Sequence, residues 1–440
     1  MVSLFLVLYY LLALQAVWRV LYFWQLKEYR LDRFKEFLGT SESYQYFLPS
    51  RYLLRPKLTP KILLLAVLVL LPALWLPPLA YYLLIPFLAV LAVIVLMPFT
   101  SFSKLIIINL AAGKLAHYRS NLTVIGITGS YGKTATKTIL THLLAAKYPV
   151  LSTSGTVNTP IGVAQAILRK LNPSHRFFIV EMGAYKRGEI TAICNLVRPS
   201  IGILTGISKQ HLELFGSFDN LMKAKFELLA ALPKSGLAIV NGEDENSYAL
   251  GNKLKGPTVK FYRQPKKAYD TNLLGDWQQL NIAAAAAAAK HFGLSDSQIK
   301  KRLKTVPEFI TSLKQQPGLN GALVVNSTYN ANPAGFAALI DYAGKLNKDR
   351  KILVTSGIIE LGQESETIHA DLGTKANLVF DSIIVTKKSL LQPFGPKASY
   401  LPPTPKLLNW LRGQVDGQTA IVLLSRLPQS LIQSIWQNQS

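Results

Sequence analysis

Apolar residues dominate the first hundred positions and then thin into short, regularly spaced runs. Residues 2–18, VSLFLVLYYLLALQAVW, carry no charge, and only Arg19 interrupts an apolar stretch that ends near Trp24. A second run, 62–98, has no charged residue over 37 positions and is broken by Pro77-Pro78, with Pro72 and Pro86 nearby. A helix needs about 20 apolar residues to span a bilayer. The pattern therefore predicts about three transmembrane helices: one over 2–24, and a tight hairpin of two slightly short spans, 61–77 and 79–98. A cleaved signal peptide is the alternative for 2–24, but no positive charge precedes the run and no A-x-A site follows it. The stretch YRLDRFKEFL (29–38) mixes charged and apolar residues at helical spacing, as either a membrane-surface helix or a solvated one.

From 121 onward short β-branched runs alternate with helical stretches: TVIGIT (123–128), FFIVEMG (177–183), IGILTGI (201–207) and LAIVNGE (237–243). A helix-rich stretch follows at 277–304, with seven consecutive alanines at 283–289. A second series then begins with ALVVNSTY (322–329), KILVTSG (351–357), SIIVTK (382–387) and TAIVLLS (419–425). Such alternation predicts an α/β fold with a mostly parallel sheet covered by helices. The Gln/Pro/Gly-rich segment 314–321 separates the two series. The expected organisation is a membrane region over 1–118, a central α/β domain over 119–313 and a smaller, doubly wound α/β domain over 314–440.

Composition supports this division. Half of the 440 residues are apolar and only 16% are charged, against about a quarter in an average chain, which excludes a disordered tail protein. The single cysteine, Cys194, excludes a disulfide scaffold and a Cys-based zinc site; it reads as a small buried hydrophobe. The balance of 48 basic against 24 acidic residues, a formal +24, favours anionic partners such as membrane lipid or nucleotides. The lysines are scattered rather than interleaved with aromatics, which argues against nucleic acid. Basic residues cluster between the first span and the hairpin, from Lys27 to Lys61, and follow it at Lys104, Lys114 and Arg119. The positive-inside rule then predicts a multi-pass protein of the inner (cytoplasmic) membrane, with an external N-terminus and the α/β region in the cytoplasm.

The strongest local motif follows the run 123–128. The chain reads Thr128-Gly129-Ser130-Tyr131-Gly132-Lys133-Thr134 before a helix begins. Glycines let backbone N–H groups close around phosphate oxygens, and the helix N-terminus adds a favourable dipole. Lys133 is placed to reach the β- and γ-phosphates of a nucleotide, and the Thr134 hydroxyl to bind Mg²⁺. The full phosphate-loop pattern wants glycine at 127, where this chain has Ile127.

The string ITGSYGKTATK (127–137) resembles the phosphate loop of the Mur ligase family, which lacks that first glycine. Further matches follow in order: NTPIGV (158–163), EMGAYKRGEI (181–190), HLELFGS (211–217), AKFEL (224–228), LNIAAA (280–285), STYNANP (327–333), and ELGQESE (360–366) followed by His369. The set is most similar to the MurF type, which joins D-alanyl-D-alanine to a nucleotide-linked muramoyl tripeptide. The resemblance spans about 120–440. It implies an ADP-forming amide ligase of cell-wall (peptidoglycan) precursor synthesis. ATP would phosphorylate a substrate carboxylate, and an amine would attack the acyl phosphate. It implies ATP held by Gly129, Ser130, Gly132, Lys133, Thr134 and Asn281, and two Mg²⁺ ions. Thr134 and Glu181 match ligands of the first ion and His211 a ligand of the second. Lys225 matches a lysine carbamylated in the family, with Lys223 as its competitor. Lys133, Lys225 and His211 would be catalytic. Asn158 and Thr159 match substrate-side residues, and Tyr329, Asn330, Asn332 and Pro333 match an acceptor loop. By residue type alone Asn281 reads equally as a polar helix cap, and 329–333 as a turn ending a strand.

The departures concern the nucleoside. An acidic pair expected before the acceptor loop is replaced by Asn326 and Ser327, a His-Asn pair before Asn281 by Trp277-Gln278, and a Gly-Asp by Ser356-Gly357. The family's uridine-binding N-terminal domain has apolar segments in its place. The implied partners are a muramoyl-peptide precursor, nucleotide- or lipid-linked, with D-Ala-D-Ala, and other wall-synthesis enzymes. The alternatives are a Mur-fold ligase with another acceptor, such as a polyglutamate-type synthetase, and a non-catalytic nucleotide-binding scaffold.

Overall fold

The computed structural model describes residues 2–39, 43–48, 54–209, 212–309, 311–329, 331–359 and 361–436. The chain divides into two compact units, Met1–Ile106 and Ile107–Ser440.

The first unit is helical. Helices Val2–Leu26, Leu31–Leu38 and Pro60–Leu70 form, and the helix Pro78–Tyr118 begins in it. Its core gathers aromatics: Trp24 stacks on Phe34 with ring centroids 3.9 Å apart, and the Trp24 Nε1 donates to the Tyr46 hydroxyl at 3.1 Å. That hydroxyl in turn donates to the Pro86 carbonyl at 2.8 Å, a polar tip satisfied inside an apolar cluster. The amphipathic segment 29–38 does form a helix over Leu31–Leu38, and it buries Phe34 and Phe37.

The three expected spans, and with them the multi-pass inner-membrane localisation, are corrected here. Among the described residues two helices are long and apolar enough to cross a membrane, Val7–Leu26 and the one beginning at Pro78, by length and composition alone. The expected span 61–77 is an 11-residue helix, Pro60–Leu70, that tightens into a 3₁₀ turn at Leu71–Leu74 around Pro72. The expected span 79–98 does not stop at Pro98; the helix runs for 41 residues to Tyr118, through both Pro86 and Pro98. Two such helices, one of them at the N-terminus where a signal sequence passes the same test, are weak support for membrane residence.

The second unit holds two six-stranded sheets. The first consists of β1 (Thr123–Thr128), β2 (Val150–Ser152), β3 (Phe177–Glu181), β4 (Ile201–Leu204), β5 (Leu237–Asn241) and β6 (Thr258–Tyr262) in the order β2-β3-β1-β4-β5-β6. Every pairing in it is parallel. The second consists of β7 (Lys314–Pro317), β8 (Leu323–Ser327), β9 (Arg350–Thr355), β10 (Ser382–Val385), β11 (Ala398–Tyr400) and β12 (Thr419–Leu424), ordered β11-β10-β9-β12-β8-β7. Here β7 pairs antiparallel with β8 and the rest are parallel. The central strands are buried along their length, as continuous apolar runs of a sheet covered on both faces must be. Cys194 is buried, its thiol against the Met182 sulfur, and burial pushes its pKa up to about 12. It is inert packing, as its residue type suggested.

Parallel order places the carboxyl ends of β1, β3 and β4 side by side, with β1 in the middle. That is the edge of an open α/β sheet where ligands bind.

Candidate active site

Strand β1 leads through the turn 129–132 into the helix Lys133–Leu144. Two positions in the turn demand glycine. Gly132 has φ +77°, and a Cβ there would lie 2.4 Å from Oδ1 of Asn281. Gly129 has φ +149°, and its Cβ would fall 1.9 Å from the Thr205 hydroxyl. The turn is tied to the end of β4: Ser130 N donates to Gly206 O at 2.6 Å, and the Thr205 hydroxyl donates to Thr128 O at 3.1 Å. Lys133 folds back across it, its Nζ donating to the carbonyls of Gly129 (2.7 Å) and Ser130 (3.3 Å). Burial pulls its pKa below the ordinary lysine value, against the opposing pull of Glu181.

Glu181 ends β3 opposite Ile127 in the ladder, so its buried carboxylate faces the first turn of that helix. Its Oε2 accepts from the Thr134 hydroxyl at 3.0 Å and from Lys137 Nζ at 2.9 Å, and its Oε1 accepts from Asn158 Nδ2 at 3.3 Å. Lys137 also donates to the Gly155 carbonyl. The structure thus brings Thr134, Glu181 and Asn158 into one cluster. Lys137 is a member that sequence reasoning missed, although its signal was present. It lies four residues after Lys133, one helical turn on.

Lys225 lies on the helix Phe218–Ala230 and is 4% exposed. Burial, with Lys133 nearby, lowers its pKa to about 7; Glu189 and Glu227 oppose the shift. Lys223 is instead exposed and pairs with Asp219 at 2.5 Å. The two lysines, equivalent by residue type, are physically distinct. Asn281 sits in the first turn of the helix Gln278–His291, its Nδ2 donating to Gln278 Oε1 at 3.0 Å and its Oδ1 against Gly132. The cap position belongs to Trp277, so Asn281 is not a helix cap.

His211 and Asn330 lie outside the described residues. The Tyr329 hydroxyl donates to the Thr156 hydroxyl at 2.9 Å, joining the acceptor-loop segment to the loop before Asn158. Asn332 caps the helix Pro333–Gly344, accepting from Gly335 N at 2.9 Å, with Pro333 at the first helical position. Thr159 caps Pro160–Lys170 in the same way. His369 is buried and braces its own loop, Nε2 accepting from Ile358 N at 2.8 Å. Asn326 turns onto its own chain, accepting from Thr328 N and the Thr328 hydroxyl.

The donor set fits one hard cation. The Thr134 hydroxyl and the Glu181 carboxylate are adjacent oxygen ligands, and Mg²⁺ at a phosphate site takes one or two protein oxygens beside those of the phosphates. Lys225 as an ammonium has no lone pair for a second ion, and offers a hard oxygen ligand only as a carbamate.

Residues 127–270 match the Mur ligase middle domain. The chain is 30% identical over 304 residues to the UDP-N-acetylmuramoyl-tripeptide–D-alanyl-D-alanine ligase of Haemophilus influenzae, a match covering 62% of this chain and 65% of that protein. It therefore spans somewhat less than two thirds of that relative. The crystal structure of MurF from Acinetobacter baumannii superposes with TM-score 0.68 at 25% identity, over 76% of this chain and 80% of that one. MurF from Thermotoga maritima, solved in complex with ADP, gives TM-score 0.65 at 24% identity, over 76% and 82%. These matches are to ligases and leave the multi-pass membrane localisation without support.

Proposed function

We propose that this chain, whose residues 127–270 match the Mur ligase middle domain, is an ATP-dependent, ADP-forming amide ligase of cell-wall precursor synthesis. It would join D-alanyl-D-alanine, or a similar amine, to a muramoyl-peptide carboxylate. The observation that carries this reading is the convergence of Lys133, Thr134, Glu181 and Lys225 at the carboxyl edge of the first sheet. In domain terms, 119–313 would hold ATP and 314–440 would present the acceptor loop.

The chemistry brings two anions together, a γ-phosphate and a carboxylate, so positive charge must screen one from the other. Lys133, released from the Gly129 and Ser130 carbonyls, supplies it at the phosphates. Backbone N–H groups of 130–134 cradle the same oxygens. Thr134 and Glu181 would hold Mg²⁺, which when bound offsets charge on the phosphate oxygens. Lys225, converted to a carbamate, would add a second anionic ligand. Asn281, packed on Gly132, is positioned for the nucleotide beside the loop. Tyr329 and Thr156 form a hydrogen-bonded bridge beside Asn158, where the acceptor amine would approach.

The test is ATP-to-ADP turnover by the full-length protein with muramoyl tripeptide plus D-Ala-D-Ala, and separately with glutamate as acceptor. Turnover that depends on D-Ala-D-Ala is expected. Turnover with glutamate alone would shift the assignment to a polyglutamate-type synthetase. Nucleotide binding without turnover would favour the scaffold, a reading the redirected Asn326 side chain would then explain.

A further inference from the structure

The charges around Glu181 have an uneven sum. One carboxylate serves two lysines: Lys137, paired with it at 2.9 Å, and Lys133, whose charged form it favours without touching it. Lys225, whose pKa burial and Lys133 lower to about 7, adds little positive charge of its own. Two further acids near Lys225 also accept from backbone amides. Glu189 accepts from Tyr185 N at 2.8 Å, and Glu227 accepts from Gly188 N and Thr191 N at 2.6 and 2.9 Å. Among the described residues no group of three or more His, Cys, Asp or Glu side chains is placed to hold a metal ion.

A divalent cation approaching Glu181 alone therefore meets lysine charge already drawn to that carboxylate. Both protein contacts to Oε2 are donors, so a cation must compete with Thr134 and Lys137 for the same oxygen. A polyphosphate reverses this balance, because its charge draws Lys133 off the Gly129 and Ser130 carbonyls and outweighs the lysines. We infer that Lys137 is a positioning residue that makes cation entry at Glu181 conditional on nucleotide, so the pocket takes metal only together with a polyphosphate. The inference rests on the ligase reading and adds the order in which its components assemble. Lys137 is suited to the task because it is anchored on both sides, by Glu181 and by the Gly155 carbonyl. It can hold the carboxylate in place while Thr134 turns its hydroxyl lone pairs outward.

The experiment measures Mn²⁺ binding by electron paramagnetic resonance on the full chain, with and without ADP. ADP binding is followed separately by calorimetry. The wild type is expected to bind ADP without metal, and to bind Mn²⁺ at least tenfold more tightly with ADP than without. Lys137→Met should gain nucleotide-independent Mn²⁺ binding, tightening at least tenfold. Lys137→Arg, which keeps the charge, should behave as wild type, and thermal melts report whether each variant folds. Equal Mn²⁺ affinity with and without ADP in the wild type overturns the inference even if no variant folds. Unchanged Mn²⁺ affinity in a folded Lys137→Met protein overturns it as well. Failure to bind ADP at all would instead sink the ligase reading.

Discussion

Replacing Lys225 by alanine is expected to cut ATP turnover at least a hundredfold, with partial rescue by short-chain carboxylic acids. The reasoning starts from burial. Lys225 is 4% exposed and its pKa is lowered to about 7. At pH 8 an ordinary lysine is about 0.4% neutral, whereas one titrating near 7 is about 90% neutral, an enrichment of roughly 230-fold in the free amine. Only the neutral amine has a lone pair to attack carbon dioxide. The N–C bond forms, one proton leaves to solvent, and the side chain changes from a neutral amine to an anion. Carbon-13 NMR in labelled bicarbonate should show one carbamate carbonyl that is absent from Lys225→Ala and retained in Lys223→Ala. The same shift sets the pH dependence of stability. The unfolded lysine keeps its proton to about pH 10.4, while the folded one releases it near 7. Between those values the unfolded state binds more protons, so stability rises with pH across that window, by up to roughly 5 kcal/mol. Lys225→Met should flatten the rise. Full turnover in Lys225→Ala, or a carbonyl signal that survives the substitution, would refute the assignment.

Lys133→Ala should abolish ATP turnover while shifting the melting temperature little, since among the described residues the ammonium hydrogen-bonds only to two loop carbonyls; measurable turnover would place the phosphates elsewhere. Gly132→Ala combines a left-handed backbone with a clash on Asn281, so it should weaken ADP binding in calorimetry. Adding Asn281→Ala should restore stability only in part, because the backbone cost of about 1–2 kcal/mol persists. Asn332→Ala removes a helix cap and should cost about 1 kcal/mol in urea unfolding, whereas Asn332→Asp should cost little.

The turn 129–134 was legible because its function is local: strand, glycines, lysine and helix are consecutive. The pairing of Lys137 with Glu181 was not, since it depends on β3 lying beside β1 across a separation of 44 residues. Strands β2 and β11 were missed because three residues carry too little pattern, and β6 because its edge position leaves alternate residues exposed. The segment 314–321 read as a boundary on its Gln, Pro and Gly content, yet Lys314–Pro317 pairs with β8. Proline also misled in opposite directions. Pro72 ended a helix within a run long enough to span a bilayer, while Pro86 and Pro98 lie inside a helix that continues through them. The motif containing Asn332 and Pro333 was read for an acceptor, whereas both residues also start a helix.

The backfolded Lys133 bears on how quickly the protein can load. Its ammonium is already solvated by two carbonyls of the very loop that must receive phosphate, so in this conformation the loop is a closed circuit rather than an open cradle. Capture then has two stages, collision followed by exchange of those carbonyls for phosphate oxygens. In stopped-flow mixing the observed rate should climb with nucleotide concentration and then level off. The plateau reports the lysine's swing, and it sets a ceiling on turnover that no excess of nucleotide can lift.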